Sequence, residues 1–284
     1  MTFLQRQRLT HVGITLPAIA FLSVQVLLLT SAAASSFTDA HGAVTSAHFV
    51  RVFRDPLFLR GVGYNVIIPL LSVTVEAAAG LAMALWFYHI RRGKAFWRTL
   101  AIIPFALPEI VYLLTMKLLF RQHGYLNSAL IASGVSSGTV GWLDPGGSLV
   151  LVVVMLVDAW RVTPLVFLIV LAALEQMEES TIEAARMDGA SWGQVVRYIQ
   201  VPLVLPALGV AVALRAVDAF RIFATPLVLV GIEGLPVLTS VAYHYKADLN
   251  DPAGANVVAL SLALGLMLAA STGLYFFGRK ARGK

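Results

Sequence analysis

Six long apolar stretches punctuate the chain, at residues 12–30, 63–88, 99–120, 148–174, 203–223 and 255–278. A helix needs about 20 residues to cross a hydrocarbon layer about 30 Å thick, and each stretch is near that length. The runs are continuously apolar, whereas a barrel strand would alternate polar and apolar positions over about 10 residues. The pattern predicts an all-α membrane protein with six transmembrane helices. The intervening segments 31–62, 121–147, 175–202 and 224–254 are too short to hold an independent core, so one transmembrane domain over 1–284 is expected. The apolar piece 226–232 is too short to span and fits a re-entrant or surface-lying segment.

Composition strengthens this picture. Apolar residues make up 58% of the chain and charged residues 13%, against about 45–50% and about 25% in soluble domains. The net charge of +6 would suggest nucleic acid if it were gathered on one face. It is not. With six spans, twelve of the 21 Lys and Arg fall on the side of the termini, six fall opposite, and Lys117, Arg161 and Arg215 lie within spans. The positive-inside rule then puts both termini of a multi-pass membrane protein in the cytoplasm. No nucleic-acid partner is expected; the lipid bilayer is. Ala32-Ala33-Ala34 after an apolar run also fits a signal peptide, but that run, 14–29, is at the long limit for one, and a retained first span is expected. There are no cysteines, so disulfides and thiol chemistry are excluded.

The polar segment 175–202, between the fourth and fifth spans, has a definite shape. Residues 175–187 are good helix formers. Asp188-Gly189 interrupts them, since glycine accepts the left-handed conformation of a helix stop. Ser191 with Gln194 three residues on is a capping-box signature for a second short helix, whose apolar face is Trp192, Val195 and Ile199. Pro202 is expected in the first turn of the fifth span, where its missing N–H costs little. A short helix across the cytoplasmic surface, with one face on its own spans and one free for a partner, is a lever.

Glu183-Ala184-Ala185, two residues, Asp188-Gly189-Ala190, eight residues, then Ile199-Gln200-Val201-Pro202 resemble the EAA loop of binding-protein-dependent ABC importer permeases. The family usually has Leu where this chain has Val201. Softer matches are Asn65, residues 120–127 (Phe-Arg-Gln-His-Gly-Tyr-Leu-Asn), Trp142-Leu143-Asp144-Pro145 and residues 158–164 (Asp-Ala-Trp-Arg-Val-Thr-Pro). They resemble the carbohydrate branch, of the maltose and glycerol-phosphate type, over about 63–277. A Gly-Gly-Pro element common in the family is Gly234-Leu235-Pro236 here.

The resemblance implies coupling helices in the loop 175–202 and a division of labour. Glu183, Ala184, Ala185, Asp188, Gly189, Ala190, Ile199 and Pro202 would engage a cytoplasmic ATPase dimer. A second, homologous permease subunit and an extracytoplasmic solute-binding protein would complete the importer of a sugar or related solute. This chain has no Gly-x4-Gly-Lys-Ser/Thr phosphate loop, so ATP and Mg would sit in the partner ATPase, and the chain itself would be no enzyme and hold no cofactor.

Charge inside a span is costly, about 2.5–3.5 kcal/mol on insertion scales, so each instance invites a role. Asp158 and Arg161 are three apart and can pair on one helix face. Arg215, Asp218 and Arg221 share a face. Asp158, Arg161, Arg215 and Asp218 are candidates for a water-filled sugar pathway, with internal ion pairing as the other reading. Glu76, Glu109 and Lys117 read as structural ion pairs. Trp86, Trp97 and Trp142 suit a membrane belt.

Other classes fit less well. Gly134-Val135-Ser136-Ser137-Gly138 matches a hydrolase pattern without the strand-to-helix elbow. An intramembrane serine protease needs a base that the last span lacks, and His41 and His48 are not helix-spaced ligands. An ion-coupled secondary transporter is the serious alternative; it would use the buried carboxylates and need no lever.

Overall fold

The computed structural model describes residues 21–39, 42–90 and 92–282. Its helices are α1 (Phe21–Ser36), α2 (Ala47–Arg54), α3 (Pro56–Tyr88), α4 (Lys94–Ala106), α5 (Glu109–Phe120), α6 (Tyr125–Ala132), α7 (Ser148–Glu175), α8 (Glu179–Met187), α9 (Trp192–Val195), α10 (Val201–Ala219), α11 (Ala224–Leu229), α12 (Leu238–Ala247) and α13 (Pro252–Arg282). An isolated bridge between Thr38 and Val44 is the extent of β pairing among the described residues. Among the described residues, four helices are long and apolar enough to cross a membrane, or five if α4 and the helices after its break form one broken span. Residues 12–20 of the expected first span, 12–30, lie outside the described residues, as does His41, and the remainder of that span lies in α1.

Helix α7 is central. Over half of its apolar window is buried, and it packs against α3, α4 and α10. The α3–α7 approach is close because Gly80 faces Val166; a Cβ there would lie 2.7 Å from the valine. The rings of Phe87 and Phe167 stack edge to face at 4.9 Å nearby. Around them Ala84, Val170, Leu171, Leu174, Val204 and Ala211 form one buried cluster at one end of the bundle. The opposite end is tied by polar side chains. Asp55 caps α3 by accepting from Leu57 N at 2.8 Å, and Pro56 follows as the first helical residue. Buried Asn65 donates to Phe220 O at 3.1 Å and accepts from Leu238 N at 3.1 Å, joining α3, α10 and α12. Asn127 donates to Gln122 O and Val140 O at 2.9 Å and accepts from Trp142 Nε1 at 3.0 Å, which folds the segment between α6 and α7.

Two expectations are corrected. The third stretch, 99–120, is not one helix. It breaks between α4 and α5, and the two parts are bent by 89°. Pro108 forces the residue before it out of the helical region, and Leu107 is extended at φ −72°, ψ 141°. The break leaves Glu109 as the first residue of α5. The fifth span does not begin near 203. A π-helical turn, Val196–Gln200, joins α9 to α10, so Trp192–Ala219 is one 28-residue helix. Pro202 cannot donate to the turn before it, and the looser π turn accommodates that loss inside the helix. The piece 226–232 contributes the short helix α11, which packs on α5 and α7.

Candidate functional site

A buried guanidinium organises the middle of the bundle. Arg215 on α10 donates from Nε to Glu76 Oε2 at 2.6 Å and from Nη2 to Glu76 Oε1 at 2.8 Å. The same Nη2 lies 3.0 Å from Asp158 Oδ2, and Nη1 donates to Asp218 Oδ2 at 2.5 Å. Ser72 Oγ sits 2.7 Å from both Glu76 Oε1 and Asp158 Oδ2, and Thr225 Oγ1 is 3.5 Å from Asp158 Oδ1. Glu76, Asp158 and Arg215 are all buried, while the Asp218 side chain is 68% exposed. A fork donor suits this arrangement because its N–H groups are fixed in a plane and reach two oxygens of one carboxylate at once.

Local sequence explains the convergence. Ser72 and Glu76 are one helical turn apart on α3, and Arg215 and Asp218 are nearly so on α10. The tight α3–α7 contact brings Asp158 to the same level. A cavity of about 190 Å³ opens beside the cluster. It is lined by Glu109, Asp158, Arg161, Arg215, Asp218 and Arg221, together with four residues that follow Asp218 closely on the chain. Three Arg and three carboxylates thus face one space.

Asp158, Arg161, Arg215 and Asp218 therefore share one cavity. The expected Asp158–Arg161 pair does not form. Arg161 instead reaches Glu109 Oε1 at 3.3 Å, and its buried Nε has no hydrogen-bond partner. Asp158 is taken by Arg215 because that guanidinium is the cation buried between α3, α7 and α10. Glu76 does form the ion pair read for it. Glu109 also lines the cavity, and the break before α5 puts it there. Lys117 makes no ion pair; its Nζ donates to Val228 O at 2.7 Å. Sequence reasoning missed Ser72 and Thr225. The i, i+4 spacing of Ser72 with Glu76 was the available signal for the first.

The second candidate region is the turn after α8. Gly189 adopts φ +84°, Ala190 N donates to Ala185 O at 2.9 Å and Gly189 N to Arg186 O at 3.0 Å. These two bonds form a Schellman motif, which satisfies the last carbonyls of α8. Ser191 N donates to Gln194 Oε1 at 2.7 Å, the expected limb of a capping box. Ile182 and Val195 are buried beneath the turn, and Glu183, Ala184, Met187, Asp188 and Gly189 are exposed. Ala185, Ala190 and Ile199 are half-buried, and Pro202 is exposed. A shallow depression runs along Asp188, Gly189, Ala190, Gln194, Val195, Tyr198 and Ile199. The turn shares its end of the bundle with the C-terminus of α3, through Trp192 and His89, and with α4, through Arg98 and Glu175.

A membrane-embedded helical bundle with polar groups around an inner cavity, and a rigid turn on one face, defines a membrane permease. Over residues 77–281 the chain matches the family described as binding-protein-dependent transport system inner membrane component, and it belongs to that family. It is 34% identical over 185 residues to the trehalose/maltose transport system permease protein MalF of Thermococcus litoralis. That alignment takes in 65% of this chain and 62% of the relative, so the chain spans about three-fifths of MalF's length. It is 31% identical over 230 residues to the inner membrane ABC transporter permease protein YcjO of Escherichia coli K12, covering 78% of this chain and 76% of the relative. In fold it is similar to a chain of a bacterial ABC transporter involved in import of the acidic polysaccharide alginate, at TM-score 0.83 and 18% identity, with 97% of this chain and 96% of that one covered.

Proposed function

We propose that this chain is one of two permease subunits of an ATP-driven importer for a neutral sugar or related polyol. An extracytoplasmic binding protein delivers the solute, and a cytoplasmic ATPase dimer, which holds ATP and Mg, drives alternating access. The observation that carries the reading is the turn at 183–190: a rigid, solvent-facing corner fixed to a helix that runs unbroken into the bundle. A push on Glu183–Gly189 would reach Arg215 through one helix. No ion gradient is needed for such a device, which is why the family's ATP-driven mode is favoured over secondary transport.

The remaining parts of the reading follow from it. Helix α1 and the residues before it supply a sixth span beyond the four or five apolar helices, and both termini lie on the cytoplasmic side, with the turn. The chain is then a single permease domain. Asp158, Arg161, Arg215 and Asp218 face the solute path. A cavity with equal numbers of Arg and carboxylate side chains offers donors and acceptors without net charge, which suits hydroxyl groups better than an ion. The names of relatives that import trehalose, maltose or lactose support the sugar class.

Gly189→Asp tests the lever. No neighbour lies near a Cβ at this position, so the change acts through the left-handed backbone and the exposed charge. ATP-dependent uptake in the reconstituted complex should fail while the subunit still assembles. Normal uptake by this variant at normal expression would overturn the assignment.

A further inference from the structure

Neither the charge cluster nor the coupling corner accounts for His89. It follows the last residue of α3, and its ring meets Trp192, the first residue of the helix that continues into α10. Trp192 Nε1 lies 3.3 Å from His89 Nε2, with ring centroids 5.8 Å apart. An indole N–H only donates. His89 Nε2 must therefore carry its lone pair, and the proton of the neutral ring sits on Nδ1. A protonated ring donates from both nitrogens and cannot accept this bond.

From this we infer that His89 is a positioning residue for coupling, holding the corner through Trp192 only while its ring is uncharged. The inference rests on the coupling role proposed above for the turn. Trp192 precedes the π turn, so its bond to His89 fixes the near end of the lever to the end of α3, the helix that carries Ser72 and Glu76. Gln200 lies beside this corner and is fully buried. Charged groups act on the same corner. Arg186 of α8 acts on His89, and Glu175 and Glu179 act on the adjacent Tyr88. Burial holds the His89 ring below its ordinary value of 6.5; Gln200 opposes that and Arg186 reinforces it. The sign is therefore fixed. The uncharged, accepting ring prevails at neutral pH, and the contact is lost as cytoplasmic pH falls below 6.5 and through the lowered value.

The experiment uses the complete importer in proteoliposomes, with the lumenal and bath pH set so that the ATPase face is titrated. In the wild type, uptake per ATP hydrolysed should fall about fivefold in acid, the worth of one hydrogen bond. His89→Gln keeps an acceptor that does not titrate and should remove the acid loss. His89→Leu removes the acceptor and should lower the ratio at every pH. Trp192→Phe keeps the ring but not the donor and should behave like His89→Leu. Because all variants share the same partner subunits, acid effects on those subunits cancel. An acid profile in His89→Gln equal to that of the wild type would overturn the inference, as would a pH-independent ratio in the wild type. If the turn itself does not couple, Gly189→Asp transports normally, a result separate from any in the His89 series.

Discussion

Arg215 and Glu76 form a two-pronged ion pair, 2.6 and 2.8 Å long, that joins α10 to α3. The pair is shielded from solvent on both sides, whereas the third carboxylate on the guanidinium, Asp218, faces the cavity. One arginine thus joins a buried contact to a cavity-facing one. The two should separate by mutation.

Breaking the buried limb is expected to be costly. Glu76→Ala leaves a buried guanidinium short of its main partner, and such deletions cost about 3–5 kcal/mol. Thermal unfolding in detergent should show a large loss for Glu76→Ala and for Arg215→Ala alone. The double variant should cost clearly less than the two added together, since neither charge is then left alone.

Asp218→Asn should have the opposite profile. Its side chain is mostly exposed, so the effect on stability should stay within about 1 kcal/mol, the range of a solvent-exposed ion pair. Solute affinity should weaken, because the group faces the cavity. A variant with unchanged uptake at limiting solute would remove Asp218 from the path.

The far end of the bundle carries a pH-dependent contact. Tyr245 on α12 donates to Asp55 Oδ2 at 2.6 Å. Burial, then the bond and charge of Asp55, hold the Tyr245 phenol above its ordinary value of 10.0. A raised value means the contribution is complete below that pH and declines as pH rises toward the folded-state value. Unfolding at rising alkaline pH should show this loss in the wild type and a smaller one in Tyr245→Phe. The variant should also be less stable at neutral pH by about 1.5–3 kcal/mol, typical of a hydrogen bond to a charged acceptor.

Much of this architecture was legible in the chain because it depends on local chemistry. The turn at Asp188-Gly189 follows from a helix run meeting a glycine, and the glycine is left-handed as expected. Gln194 caps its helix from a spacing visible in the sequence. The apolar stretches are also local signals, although Pro108 breaks one of them into two helices while Pro104 stays inside α4, and a proline alone does not fix a bend of 89°. Likewise Pro202 marks a helix start by local rules, yet a π turn carries it inside a longer helix. What remained hidden is pairing across helices. Asp158 has Arg161 three residues away but pairs with Arg215, 57 residues on, because the packing of α10 on α7 decides which guanidinium is buried beside it. The role of Glu109 at the cavity depends on the same kind of information.

In the proposed importer, residues 183–190 receive mechanical work from a nucleotide-driven partner. The chain has no cysteine, so Met187→Cys introduces a single thiol at a side chain that is 88% exposed. Cross-linking from this thiol in the assembled importer should join the position to the cytoplasmic ATPase subunit, with a yield that changes when ATP binds. An importer that takes up solute while positions along 183–190 never cross-link to an ATPase, or that runs on an ion gradient without one, would rule out coupling through this turn.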